Sequence, residues 1–213
     1  MDRKILLATN NSGKLNEYRS LLKDIPVEFV SLADEGITTI VREVGKTFEE
    51  NAILKASAFA AESGMIALAD DSGLEVDVLG GEPGVRSARY AGEHTSDSER
   101  VAFLLSKLKD VPLEKRTARF LCVIAIATPH GEVKISSGEC RGLISIEPKG
   151  EHGFGYDPVF LLPEFKKTMA ELPPPIKNQV SHRARAARQV YSLLKKRPFK
   201  IFKETNTSVT DED

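Results

Sequence analysis

Apolar and polar positions alternate along the chain in blocks that predict an α/β succession. Residues 4–8 form a short apolar run suited to a buried strand, and the polar stretch Thr9-Asn10-Asn11-Ser12-Gly13-Lys14 follows at once. From Leu15 the spacing Leu15, Tyr18, Leu21, Leu22 is helical, so the hexad is a strand-to-helix turn. Residues 27–30 suit a second short strand. Thr47-x-x-Glu50 reads as a capping box that opens a helix reaching about Ser63, with Phe48, Ala52, Ala56, Phe59 and Ala60 on one face and Gly64 as its stop. Residues 65–69 then make an apolar run expected to be a strand that ends at Asp70 and Asp71, with Ser72 and Gly73 starting a glycine-rich bend. Ser96-x-x-Glu99 heads a further helix whose face is Val101, Leu104, Leu105 and Leu108. Residues 120–127 and 133–136 predict a hairpin about the turn Pro129-His130-Gly131-Glu132, 140–146 continue the sheet, and 159–162 form another strand. Pro173-Pro174-Pro175 predicts a stiff extended connector, and Ser181 the N-cap of a last helix carrying Ala184, Ala187, Tyr191 and Leu194.

Several of these junctions carry candidate chemistry. A strand-to-helix turn aims backbone N–H groups and the positive helix end at one point, which suits phosphate, and Lys14 adds a cation. Neither the Gly-x-x-x-x-Gly-Lys-Ser/Thr spacing nor Gly-x-Gly-x-x-Gly is present, and an Asn- and Ser-rich cap is the alternative reading. Two acids beyond a strand in an open α/β sheet could hold a hard cation or poise a water, while Asp-Asp-Ser-Gly as a solvated turn is the competing reading. Because side chains alternate along a strand, Asp70 and Asp71 should point different ways. Arg86 and Arg89, within the glycine-rich bend, are expected to return positive charge toward them. Phe154, between Gly153 and Gly155, is either a platform for a base or a ring tucked with Tyr156 into the core. Asp157 is held extended before Pro158 and can accept hydrogen bonds. His182 and Arg183 fall in the first turn of the last helix, where its dipole disfavours cations, so the pair is a functional candidate.

Composition narrows the class. In 213 residues, 30 Lys and Arg against 31 Asp and Glu give a net charge of -1, so no global field draws the chain to nucleic acid or an anionic membrane. One sizeable domain over 1–200 is expected, with a polar, disordered tail at 203–213. Cys122 and Cys140 lie in apolar or strand-like segments without Cys-x-x-Cys spacing and read as buried thiols of a reducing compartment. The first residues are too short an apolar stretch for a signal peptide or span, so a cytoplasmic protein is expected.

Taken together, Ala8-Thr9-Asn10-Asn11 with Gly13-Lys14, Thr47-Phe48-x-Glu50-Asn51-Ala52 with Lys55, Ala69-Asp70-Asp71-Ser72-Gly73-Leu74, Gly80-Gly81-x-Pro83-Gly84 with Ser87-Ala88-Arg89-Tyr90, Gly153-Phe154-Gly155-Tyr156-Asp157-Pro158 and Ser181-His182-Arg183 resemble the inosine/xanthosine triphosphate pyrophosphatase family, in the family's order. The resemblance implies hydrolysis of noncanonical purine nucleoside triphosphates (ITP, dITP, XTP) to the monophosphate and pyrophosphate. The implied fold is α/β, an elongated mixed sheet flanked by helices, with two lobes around a central cleft. By position, Thr9 to Lys14 (Thr9, Asn10, Asn11, Ser12, Gly13, Lys14) match the triphosphate turn, and Lys55 and Lys177 match further substrate contacts. Glu43 and Asp71 match magnesium ligands, and Asp71 also the acid that activates water, with Ser72 beside it and Asp70 the second choice of base. Phe154, Gly155, Tyr156, Asp157, His182 and Arg183 match the base pocket. Mg2+ as cofactor and a homodimer, with no nucleic acid polymer or membrane partner, complete the expectation. The rivals are a nucleotide-binding regulator without turnover and a related enzyme acting on modified pyrimidine triphosphates.

Overall fold

Eleven residues of unbroken extended backbone, β3 (Ile66–Val76), run through a seven-stranded sheet in a computed structural model that describes residues 4–196. The strand does not stop at the two acids. Asp70 pairs with Ile124 and Asp71 with Val123 in an antiparallel ladder to β4 (Thr117–Ala127), so both carboxylates sit in mid-strand. A turn there would leave buried backbone groups without ladder partners, and that cost overrides the local turn preference of Asp-Asp-Ser-Gly.

On one side of β3 lie β1 (Lys4–Leu7) and then β2 (Glu28–Ser31), all parallel. On the other side β4, β5 (Val133–Ile144), β6 (Phe160–Leu162) and β7 (Lys167–Thr168) follow antiparallel, giving the order β2-β1-β3-β4-β5-β6-β7. The two pieces expected around 133–136 and 140–146 are one strand, β5.

Period-two alternation distributes the core. Leu68 faces Ile5, Leu7, Cys122 and Ile124, and this face is covered by α1 (Ser12–Leu21) through Tyr18 and by α5 (His182–Lys196) through Ala187, Val190 and Leu194. Ala67 and Ala69 face the other way, with Leu6, Val123 and Ala125, under Phe48, Ala52, Ala56 and Phe59 of α2 (Phe48–Ser63). A third cluster joins Leu74, Val76, Phe120, Ile144 and Phe160 to Val101 and Leu104 of α3 (Asp97–Lys107), and the cleft opens where the clusters meet.

The helix ends follow their signals, with two differences. Ser96 and Glu99 form the full reciprocal capping box, whereas Thr47 caps Glu50 N at 3.1 Å but Glu50 accepts from Lys46 N at 2.6 Å. Gly64 ends α2 at φ 67°, a conformation glycine adopts without steric penalty. The proline triplet is not an extended rod: only Pro173 is extended, as N-cap, and Pro174 and Pro175 open α4 (Pro174–Val180). Proline suits the first helical positions, where a missing N–H costs nothing. No helix among the described residues is long and apolar enough to cross a membrane. The tail expected at 203–213 lies outside the described residues.

Candidate active site

The alternation that sorts the core also sorts the acids. Asp71, on the same side as Ala67 and Ala69, faces α2. Its Oδ2 accepts from Asn51 Nδ2 at 2.9 Å, and its Oδ1 lies 3.6 Å from Lys55 Nζ, which reaches on to Glu43 Oε1 at 2.5 Å. Arg89 Nη1 stands 3.8 Å from Glu43 rather than at Asp70 or Asp71, and Arg86 turns to Glu82 at 3.1 Å, so neither arginine pairs with the two strand acids as expected. Burial pushes the Asp71 carboxyl above its usual pKa; Lys55 pulls it down and the Glu43 charge adds to the rise. Asp71 is therefore the more basic of the two neighbours.

Asp70, on the side of Leu68, faces α1 and α5. Lys14 Nζ lies 3.0 Å and Arg183 Nη2 3.4 Å from its Oδ2. Burial works against its ionisation, but Lys14 and Arg183, with Lys55 behind them, hold it well below the usual carboxylate range. A carboxylate so held is a poor proton acceptor. Cys122, beside it, is a buried free thiol pushed up to about 12 chiefly by burial and the Asp70 charge.

From Arg183 an ionic chain continues through the cleft. Its Nη2 donates to Ser72 Oγ at 2.8 Å and its Nη1 to Glu17 Oε2 at 2.7 Å. Glu17 Oε1 lies 2.8 Å from Lys177 Nζ, which also pairs with Asp157, itself accepting from Phe154 N at 2.9 Å. Burial opposes the charge of Lys177, yet Asp157 and Glu17 keep it protonated. Lys177 and Arg183 stand 4.9 and 5.5 Å from the centre of the half-buried Phe154 ring. That ring packs on Gly13, where a Cβ would meet Phe154 Cδ1 at 2.5 Å, so only glycine lets the phosphate-type turn touch the aromatic platform. His182 stacks on Phe120 at 4.6 Å and is held neutral by burial, aided by the Arg183 and Lys177 charges. Among the described residues, His182 Nδ1, Arg183 Nε and Asp70 Oδ1 are buried without a hydrogen-bond partner.

Thr9, Asn10, Asn11, Lys14, Glu43, Lys55, Asp71, Ser72, Phe154, Gly155, Tyr156, Asp157, Lys177, His182 and Arg183 all line one cavity of about 330 Å3. Ser12 and Gly13 stand outside that lining, Ser12 exposed on the first turn of α1, whose N-cap is Asn11. Tyr156 is nearly all core, and its hydroxyl donates to Ser87 O at 2.9 Å. The Gly155 N–H is engaged by Asp97 of α3 at 2.6 Å. Asn51 and Glu17 were not singled out from sequence, although each had a signal: Asn51 is four residues before Lys55 and Glu17 three after Lys14, on shared helix faces.

Among the described residues no three or more His, Cys, Asp or Glu side chains converge as a metal cage. Glu43 and Asp71 are nevertheless a pair of hard oxygen donors on opposite sides of one ammonium, and their mutual repulsion is part of what lifts the Asp71 pKa. That pair fits a magnesium-type ion, which takes one or two carboxylates and completes its shell with substrate phosphates and water.

The model of the Ham1 family matches residues 5–193. The chain belongs to the Ham1 family. It is 52% identical over 191 residues to the dITP/XTP pyrophosphatase of Desulforamulus reducens, covering 90% of this chain and 95% of that one. To the dITP/XTP pyrophosphatase of Bacillus subtilis it is 47% identical over 192 residues, covering 90% and 97%. A HAM1 protein from Coxiella burnetii has a similar structure, with TM-score 0.83 at 42% identity over 91% of this chain and 98% of that one. The nucleoside-triphosphatase / dITP/XTP pyrophosphatase of Mycobacterium abscessus follows at TM-score 0.71 and 44% identity, covering 88% and 98%. Within this Ham1 chain the sheet thus carries one acid to each face: Asp71 lines the cavity, and Asp70 lies buried behind two of its lining cations, Lys14 and Arg183.

Proposed function

We propose that this Ham1 chain hydrolyses noncanonical purine nucleoside triphosphates, ITP, dITP and XTP, to the nucleoside monophosphate and pyrophosphate. The observation that carries the reading is the shared cavity. A cation at a helix N-terminus (Lys14), a basic carboxylate (Asp71) and an aromatic platform flanked by cations (Phe154, Lys177, Arg183) line the same space. A triphosphate reaching from the platform to the turn would pass Asp71.

The chemical problem is to bring water to a phosphorus already ringed by negative oxygens. Thr9, Asn10, Asn11 and Lys14, with the positive end of α1 at Ser12 and Gly13, would hold the polyphosphate, and Lys55 would turn to it from the carboxylates. Asp71 would hold the attacking water and take its proton as the bond between the α and β phosphates breaks; its raised pKa makes it the stronger acceptor. Glu43 and Asp71 would hold Mg2+, which when bound supplies charge neutralisation at the phosphate oxygens. At the other end, Phe154 would stack on the base. Arg183 offers donors to the 6-oxo group of inosine or xanthosine, and an adenine amino group would meet them with nothing to accept. His182, neutral with Nδ1 unpartnered, and Asp157 with Lys177 would read the remaining edge.

The whole of 1–200 would work as one unit, a cytoplasmic homodimer. A substrate panel tests the activity: with Mg2+, inosine and xanthosine triphosphates should release pyrophosphate far faster than ATP or a methylated pyrimidine triphosphate. Preference for the pyrimidine, or release of orthophosphate, refutes the reading.

A further inference from the structure

One side chain near the two proposed metal-binding acids is neutral, wholly buried and hydrogen-bonded at both ends of its amide. Asn51 is 0% exposed; its Nδ2 donates to Asp71 Oδ2 at 2.9 Å, and its Oδ1 accepts from Gly45 N at 2.8 Å. A carboxylate can only accept and a backbone N–H can only donate, so a single orientation of the amide satisfies both ends. Gly45 lies two residues after Glu43, and the contact is tight enough to exclude any side chain: a Cβ on Gly45 would stand 2.6 Å from Asn51 Oδ1 and 2.8 Å from Glu50 Cβ. The amide therefore ties the segment that carries Glu43 to the carboxylate of Asp71.

We propose that Asn51 is a positioning residue that sets the placement of Glu43 relative to Asp71, with Gly45 as the other half of the clamp. The inference rests on the function proposed above for those two acids. Lys55 also joins them, through 2.5 and 3.6 Å contacts, but an ammonium on a four-carbon stem enforces no direction, and in the proposed reaction it turns to the phosphates. Asn51 keeps its two partners in every step, because neither Gly45 N nor Asp71 Oδ2 needs to leave it. The clamp also assigns the oxygens of Asp71: Oδ2 is committed to the amide, and Oδ1 is the oxygen on the Lys55 side.

Asn51→Ala and Gly45→Ala in the full chain test this from both ends. Gly45→Ala removes no polar group and touches neither acid, and it decides the matter if Asn51→Ala does not fold. Each variant should lower kcat by about 10- to 100-fold and weaken Mn2+ binding to the nucleotide-free protein, followed by electron paramagnetic resonance, by a similar factor, the range expected when a group that orients ligands is lost. The KM for inosine triphosphate should stay near the wild-type value, a split that general loosening of the fold would not produce. Exchange of the Gly45 amide, protected in the wild type, should become fast in Asn51→Ala. Folded variants with wild-type kcat and wild-type Mn2+ affinity overturn the proposal, as does a Gly45 amide that stays protected without Asn51. If the wild type releases no pyrophosphate, the functional reading fails on its own, and Mn2+ binding and Gly45 exchange still decide for or against the clamp.

Discussion

Asp70 and Asp71 are adjacent, buried and faced to opposite sides of the sheet, and replacing each by asparagine should move stability in opposite directions. In Asp71→Asn the new amide oxygen can keep the bond from Asn51, and Lys55 keeps Glu43 at 2.5 Å. What is removed is a carboxylate that burial makes costly to ionise. The variant is therefore expected to melt at or slightly above the wild type, as is common where function is held at the expense of stability. Turnover should nevertheless fall about 100- to 10,000-fold, or about 3–5 kcal/mol of transition-state stabilisation, if Asp71 takes the proton of water. In Asp70→Asn the loss is of the opposite kind. Lys14 loses its partner at 3.0 Å and the buried Arg183 is left with Glu17, and removing one member of a buried ionic set costs about 3–5 kcal/mol. For a chain of this size that is a fall in melting temperature on the order of 10 °C.

The pH dependence distinguishes the two further. The pKa of Asp70 is depressed in the fold, so its contribution is present above the unfolded value of about 4 and is lost as pH falls below it. The deficit of Asp70→Asn should therefore shrink under acid. The pKa of Asp71 is raised, so the protonated form is favoured by folding; that contribution is full below about pH 4 and is lost as pH rises through the folded value. Any advantage of Asp71→Asn should accordingly appear at pH 7 and vanish at pH 4. Urea melts of metal-free protein at pH 7 and pH 4, extended for Asp70→Asn to lower pH because its contribution persists down to the depressed folded pKa, test these signs, with pyrophosphate release followed at pH 7. An Asp71→Asn variant as unstable as Asp70→Asn, or an Asp70→Asn variant as stable as wild type, would refute the separation of charge between the two faces.

Two shorter predictions concern the ends of the cleft. Phe154→Ala should weaken binding of inosine and xanthosine triphosphates alike, by about 1–3 kcal/mol in equilibrium titrations, because stacking is indifferent to ring substituents; a loss confined to one base argues against the platform. Glu43→Gln should raise the Mg2+ concentration needed for half-maximal turnover by about 10-fold or more, and chelation should abolish wild-type activity. A magnesium titration superimposable on the wild type would remove Glu43 from the metal site.

Local pattern carried most of the element positions, because strand and helix runs here obey their own periods: Leu15, Tyr18 and Leu21 on α1, Phe48, Ala52, Ala56 and Phe59 on α2. It misplaced the end of β3, since Asp-Asp-Ser-Gly reads as a turn until β4 is seen to pair with it residue by residue. The proline triplet failed similarly, for a helix start and an extended connector share the φ that proline imposes. At the site, the acids and cations that chemistry makes conspicuous were legible, together with the opposite facing of Asp70 and Asp71. The groups that orient them were not. Asn51 looks like any residue inside a capping motif, and Glu17 like a solvated helix charge, until the partners 20 and 166 residues away are in place.

Those partners change what the cleft can do. Lys14 is paired with Asp70, Lys55 with Glu43, Lys177 with Glu17 and Asp157, and Arg183 with Glu17 and Asp70. Cations so matched are held in position without an anionic ligand, which avoids the repulsion that a bare cluster of four would suffer in a buried space. The same matching means that a triphosphate in the proposed site would meet carboxylates as well as ammonium groups and would compete with them for the cations in an exchange of partners. At the proposed base end that exchange is not needed for Arg183 Nε and His182 Nδ1, which, like Asp70 Oδ1, have no partner among the described residues. At the proposed phosphate end it is, and once Lys55 turns away, while Arg89 stays 3.8 Å from Glu43, Glu43 and Asp71 lose the ammonium that joins them. A divalent cation arriving with the phosphates would fill that position, so the proposed need for magnesium follows from the pairing of the lysine as much as from the presence of two acids.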